Sequence, residues 1–283
     1  MSKNNLGLVS FLYALWLFFS LIGCSRHEQA KKEKIRAYNA KKEMIARHHD
    51  ECKYALPSFS KKNREKYPWE EKQVGGFPKI TKEFFCCKGS ALHPLRESVD
   101  YSGNMIKIMD CGGKQKHSLP IKNDNEFIYP ILLDILNFIQ ERTEKKTIIT
   151  CGHRCPKHNH YADPSKGNQT SKHLIGAEVD FYIKDLEYNP EKIVQIIQEF
   201  YREREKDPEY LLFRRDNTRL NELKVAPWYN KEIYIKILQK DEGRDFDNRH
   251  PYPYISIQVR YDREEKRNVN YNWEKAHKGY LQW

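Results

Sequence analysis

Ala177-Glu-Val-Asp180-Phe-Tyr-Ile183, preceded by Ser171-Lys-His173-Leu-Ile-Gly176, alternates apolar and polar side chains with a period of two. A half-buried strand needs that period, because successive side chains leave opposite faces of a sheet. Val179, Phe181 and Ile183 are expected on the core face, and Glu178, Asp180 and Tyr182 on the other. Gly176 lets the chain turn sharply into the strand. His173 and Asp180 are thereby expected to converge on one cleft, where imidazole nitrogen and carboxylate oxygen suit zinc.

Working outward, Ile131, Leu132, Ile135, Leu136, Phe138 and Ile139 recur at helical spacing, which predicts a helix from about Phe127 to Arg142 with Pro130 in its first turn. Thr147–Thr150 reads as a short strand. Asn189-Pro190-Glu191 opens a second helix that carries Ile193, Ile196, Ile197 and Phe200 on one face. Glu232–Gln239 and Tyr254–Tyr261 flank a polar loop, the layout of an antiparallel hairpin with a long connection. The expected class is α+β, a small antiparallel sheet with flanking helices.

The amino terminus reads differently. One positive charge at Lys3 precedes an apolar run from Leu6 through Ile22, which ends in Leu21-Ile22-Gly23-Cys24. That is the processing pattern of a bacterial lipoprotein signal peptide, with Cys24 as the lipidated first residue of the mature chain. Residues 1–23 are then signal, 24–50 a charged tether, 51–110 an irregular cysteine-containing wrap, and 111–283 the main domain. The tether has eight Lys/Arg against four Asp/Glu between Arg26 and Asp50. The expected location is the cell envelope, outside the cytoplasm and anchored to a membrane by lipid.

With 39% hydrophobic residues and 13 each of Gly and Pro among 283, collagen-like and wholly disordered classes are excluded. The net charge of +11 falls to +10 once Lys3 leaves with the signal, and it favours an anionic partner such as cell-wall polymer. The basic residues form no reader helix, so no nucleic-acid partner is expected. Besides Cys24 there are Cys52, Cys86, Cys87, Cys111, Cys151 and Cys155, an even set in a disulfide-permissive compartment. Disulfides are favoured over a metal knuckle because paired C-x-x-C spacing is absent, and Cys151 or Cys155 is expected to be crosslinked.

Ile149-Thr-Cys151-Gly152-His153-Arg154-Cys155-Pro156-Lys-His-Asn159, followed by Ser171-x-His173-x-x-Gly176-x-x-x-Asp180, resembles the zinc peptidases of the D-alanyl-D-alanine carboxypeptidase family, whose fold is shared with the hedgehog signalling domain. Those proteins show Ser-Gly-Tyr-Arg-Ser-Pro, then Asn, then Ser-x-His-x-x-Gly-x-Ala-x-Asp. His153 replaces Tyr, Cys151 and Cys155 replace the serines, and Glu178 stands where Ala is common. The resemblance covers about residues 125–262. It implies a peptidase of peptidoglycan stem peptides, with His173 and Asp180 on zinc and Arg154 holding a substrate carboxylate through its planar fork.

The family also needs a third histidine ligand and an acidic general base near a late strand. One register places Ser256 and Gln258 at those positions, which predicts a degenerate site that binds cell-wall peptide or a protein partner without hydrolysis. The other takes Asp247-x-x-His250 from the hairpin loop, with His250 as third ligand and Asp247 as base. Both remain open on the sequence.

Overall fold

The structure is a computed structural model that describes residues 29–37, 73–99, 102–165, 169–243 and 245–283. Cys24, Cys52, the signal segment and most of the tether lie outside the described residues. The chain divides into two units, Met1–Arg64 and Glu65–Trp283. In the first, residues 29–37 form an exposed helix. Among the described residues no helix is long and apolar enough to cross a membrane.

The second unit mixes helix and antiparallel sheet, as an α+β chain should. Its strands are β1 (His117–Lys122), β2 (Thr147–Cys151), β3 (Glu178–Ile183), β4 (Arg214–Arg215), β5 (Trp228–Tyr229), β6 (Ile233–Leu238), β7 (Tyr254–Val259) and β8 (Tyr280–Gln282), besides short hairpins. Six of them form one sheet in the order β2-β3-β7-β6-β5-β4, every pair antiparallel. The expected hairpin is the β6–β7 pair, with Ile235 opposite Ile257 and Lys236 opposite Ser256.

Three helices matter here: α1 (Pro130–Thr143), α2 (Pro156–Ala162) and α3 (Pro190–Arg204), each with proline at its start. Proline is suited there because its fixed φ is helical and its missing N–H would have no partner in the first turn. Leu132, Ile135, Leu136 and Ile139 of α1 and Ile193, Ile197 and Phe200 of α3 share one core with Val179, Phe181, Ile183, Ile235, Ile257 and Val259 of the sheet. Non-directional burial of this apolar face supplies most of the stability, at about 25 cal/mol per Å² removed from water. The opposite face is left to Glu178, Asp180, Lys236, Ser256 and Gln258.

The segment before β1 is part of this unit. Ile80 and Phe85 are buried in the same core. The Asn137 side chain brackets Ile80, accepting from its N–H and donating to its carbonyl at 2.8 Å each. Gln140 Nε2 donates to the carbonyls of Val74 and Pro78.

Candidate functional site

Two loop motifs frame the polar face. Ser171 Oγ accepts from the His173 N–H at 3.3 Å, opening a short 3₁₀ turn over Lys172–Ile175. Gly176 closes it at φ 69°, in the left-handed region, and a Cβ there would come 3.0 Å from Ile128 Cδ1. The serine and glycine of this motif therefore shape the turn that presents His173. The Arg154 N–H donates to the His173 carbonyl at 3.2 Å, which joins the second motif to the first. A bulge between Ile149 and Cys151 resets the β2–β3 register and puts Cys151 opposite Asp180; such insertions re-aim side chains at sheet ends.

The cleft they border has a volume of about 560 Å³ and includes Lys172, His173, Glu178, Asp180, Lys236, Ser256 and Gln258 in its lining. His173 and Asp180 do come together. His173 Nδ1 lies 2.7 Å from the Gly152 carbonyl, which accepts its proton, and Nε2 turns toward the Asp180 Oδ2 at 3.4 Å. The other oxygen of Asp180, Oδ1, is buried with no hydrogen-bond partner. Glu178 Oε2 is 3.8 Å from the same Nε2. Burial alone would lower the His173 pKa, but Glu178 and Asp180 outweigh it and raise it.

His250 is not grouped with His173 and Asp180. Its ring packs among Tyr182, Tyr252 and Tyr254 at centroid distances of 5.1, 5.9 and 5.7 Å, and no three-residue metal-ligand grouping of the described residues includes it. Asn248 comes to Asp180 instead, its Nδ2 donating to Oδ2 at 3.0 Å. Ser256 stands directly across the ladder from Asp180, and its hydroxyl donates to Glu178 Oε1 at 2.9 Å. Gln258 Nε2 and Lys236 Nζ donate to the same oxygen at 2.7 and 3.3 Å. Burial would raise the Glu178 pKa, but His173, Lys236 and these donors hold it well below the usual carboxylate range. Cys151 Sγ approaches His173 at 3.4 Å, but on the Nδ1 side already given to Gly152. Two of the family's three zinc ligands thus share the cleft, and the potential ligand atom grouped with them within 4.8 Å is the Cys151 sulfur, not a histidine.

Arg154 borders the same cleft, but its guanidinium is already paired with Asp245 and Asp247. Arg154 is 1% exposed. Its Nε donates to Asp247 Oδ2 at 2.8 Å and its Nη2 to Asp245 Oδ2. Asp247 Oδ1 meets His158 Nε2 at 3.0 Å, His158 Nδ1 meets Asp110 Oδ1 at 2.7 Å, and Asp110 Oδ2 meets His93 Nδ1 at 2.6 Å. Burial disfavours charge on His158, yet its bonds to Asp110 and Asp247 carry the pKa up to about 10. Burial would raise Asp247, but His158 and Arg154 hold it well below the carboxylate range, which leaves it a poor general base. The fork of Arg154 is satisfied inside the protein.

The cysteines are free thiols: Cys86, Cys87, Cys111, Cys151 and Cys155 form no disulfide among the described residues, contrary to the expected crosslink at Cys151 or Cys155. The sequence drew attention to their number and missed their placement. His153, in the family's tyrosine position, is fully enclosed; burial and the neighbouring His117 push its pKa down to about 3, so it is neutral. No protein-family model, curated protein or solved structure matches the chain.

Proposed function

We propose that the chain is a hydrolytically silent domain, of the architecture used by the D-alanyl-D-alanine carboxypeptidases and the hedgehog domain, that binds cell-wall stem peptides at the envelope membrane, to which Cys24 tethers it through lipid. The observation that carries this reading is Ser256 opposite Asp180, with its hydroxyl committed to Glu178. A neutral serine is a poor zinc ligand, and a carboxylate clasped by Ser256, Gln258 and Lys236 has no proton-accepting task left.

The cleft retains what a binder needs. Lys172 and Lys236 together with Asp180 and Asp245 in its lining offer both signs of charge to a peptide that carries a carboxylate and an ammonium. Burial lowers the Lys172 pKa to about 8, against the pull of Glu178, so its charge falls away above neutrality.

The test is to titrate the detergent-solubilised full chain with stem peptides by calorimetry, and to incubate it with zinc and the same peptides under mass spectrometry. Saturable binding without cleavage is expected. Cleavage of any stem peptide would return the chain to the zinc peptidases, and absence of binding by a folded chain would remove the peptide as partner.

A further inference from the structure

Away from the cleft, Cys87, Cys111, His117 and Cys155 each turn one ligand atom toward a common point, all four atoms lying within 4.8 Å of one another. Cys87 follows the 3₁₀ turn Lys82–Phe85, Cys111 follows the hairpin Arg96–Val99/Met105–Ile108, His117 opens β1, and Cys155 caps α2. We propose that these four side chains hold a structural zinc ion, with three thiolates and one imidazole.

The spacing fits. Zinc–sulfur bonds of about 2.3 Å at tetrahedral angles separate two sulfurs by about 3.8 Å. Cys87 and Cys111 Sγ are 3.7 Å apart.

The imidazole is oriented for a metal. His117 Nδ1 donates to the Ser118 carbonyl at 3.0 Å, which fixes the tautomer as backbone carbonyls do for ligating histidines. Nε2 is left for the sulfurs, and it is buried with no hydrogen-bond partner in a residue only 5% exposed. The sulfurs of Cys111 and Cys155 are what this buried nitrogen faces, the donor set that zinc takes.

Backbone amides also support charged sulfur. The Gly113 N–H donates to Cys111 Sγ at 3.2 Å and the His158 N–H to Cys155 Sγ at 3.4 Å. Space for the cluster depends on Gly89, where an added Cβ would lie 2.1 Å from Cys111 Sγ.

A disulfide explains less. It would pair two of the three sulfurs, strand the third, and leave His117 Nε2 unanswered. Soft sulfur with one imidazole selects zinc among common divalent ions, and four protein ligands leave no open position for catalysis. The ion would tie the segment before β1 to the loop that carries Arg154, and it stands whether or not the cleft binds peptide.

The test uses the full chain purified without reductant or chelator. Elemental analysis should find about one zinc per chain, lost in His117→Ala and Cys155→Ser and kept in His173→Ala. Cobalt exchanged into the unmodified chain should give sulfur-to-cobalt charge transfer and intense tetrahedral visible bands, a readout that does not depend on any variant folding. Absence of metal in the folded unmodified chain, a Cys87–Cys111 crosslink in non-reducing mass spectrometry, or zinc lost with His173→Ala but kept with His117→Ala would overturn the proposal.

Discussion

Arg154 Nε lies 2.8 Å from Asp247 Oδ2, and both side chains are almost wholly out of water. Two residues that the family pattern assigns to substrate and to proton transfer are here bound to each other. The consequence is structural: removing the guanidinium takes the ion-pair partner from Asp245 Oδ2 and Asp247 Oδ2 at a largely buried position. Breaking a buried pair from one side costs about 3–5 kcal/mol. Arg154→Ala should lower the free energy of unfolding in urea by about that amount, and Arg154→Lys should recover only part because it lacks the planar fork. An unchanged denaturation midpoint would mean that the pair contributes nothing to the fold.

His158 sets a limb of the pH–stability curve. Its folded pKa of about 10 exceeds the unfolded value of about 6.5, so its contribution is complete below 6.5 and is lost as pH rises through 10. Asp247 has the opposite sign: its folded pKa is depressed, so its contribution is present above about 3.9 and is lost only in acid. Denaturant midpoints should therefore decline from pH 7 to 10. In His158→Asn, less stable throughout, that slope should flatten; a slope identical to the unmodified chain's would sink the assignment.

How much of this could be read from residues alone depends on periodicity. β3 and β7 follow from strict alternation, and α1 and α3 from apolar residues at helical spacing, because each pattern has one geometry that buries it. Helix boundaries shift by a few residues: α1 starts at Pro130, since the proline itself sets the first turn. The loop between β6 and β7 has no such period. Asp245, Asn248 and His250 are chemically plausible neighbours for any buried charge, and only the folded path decides that Asn248 reaches Asp180 while His250 joins the tyrosines. The four-residue sulfur and imidazole cluster was invisible for a related reason. Its members are spread from Cys87 to Cys155 and meet only through tertiary packing.

Ser256→His tests the silence of the cleft directly. Position 256 lies opposite Asp180 and lines the cavity, so an imidazole there would face the same space as His173 and Asp180. Three protein ligands are the usual complement of an open zinc site. The variant should bind about one zinc more per chain than the unmodified protein, measured by elemental analysis. No increment in a folded variant would mean that more than the missing ligand separates this cleft from a metal centre.

His250→Ala should leave metal content unchanged, since the ring sits among Tyr182, Tyr252 and Tyr254. Lost aromatic contacts are worth about 0.5–1.5 kcal/mol per pair. A modest fall in thermal midpoint is expected, with zinc per chain held constant. Loss of zinc would restore His250 as a ligand.

Gly152→Ala addresses why the motif keeps glycine before His153 and Arg154. A Cβ at 152 would lie 2.6 Å from Phe85 Cα and 2.7 Å from the Phe85 carbonyl oxygen, which also accepts the His153 N–H at 2.7 Å. These are backbone atoms, so no rotamer change relieves the contact, and Phe85 is itself in the core. Moving the two chains apart would stretch that hydrogen bond and displace the carbonyl that accepts from His173 Nδ1. Overpacking of this kind costs about 1–3 kcal/mol. The variant should unfold at lower denaturant, and the imidazole resonances of His173 should shift in NMR because the partner of Nδ1 has moved. Unaltered stability and spectra would show that the Phe85 segment yields freely, and that the glycine is not there to admit it.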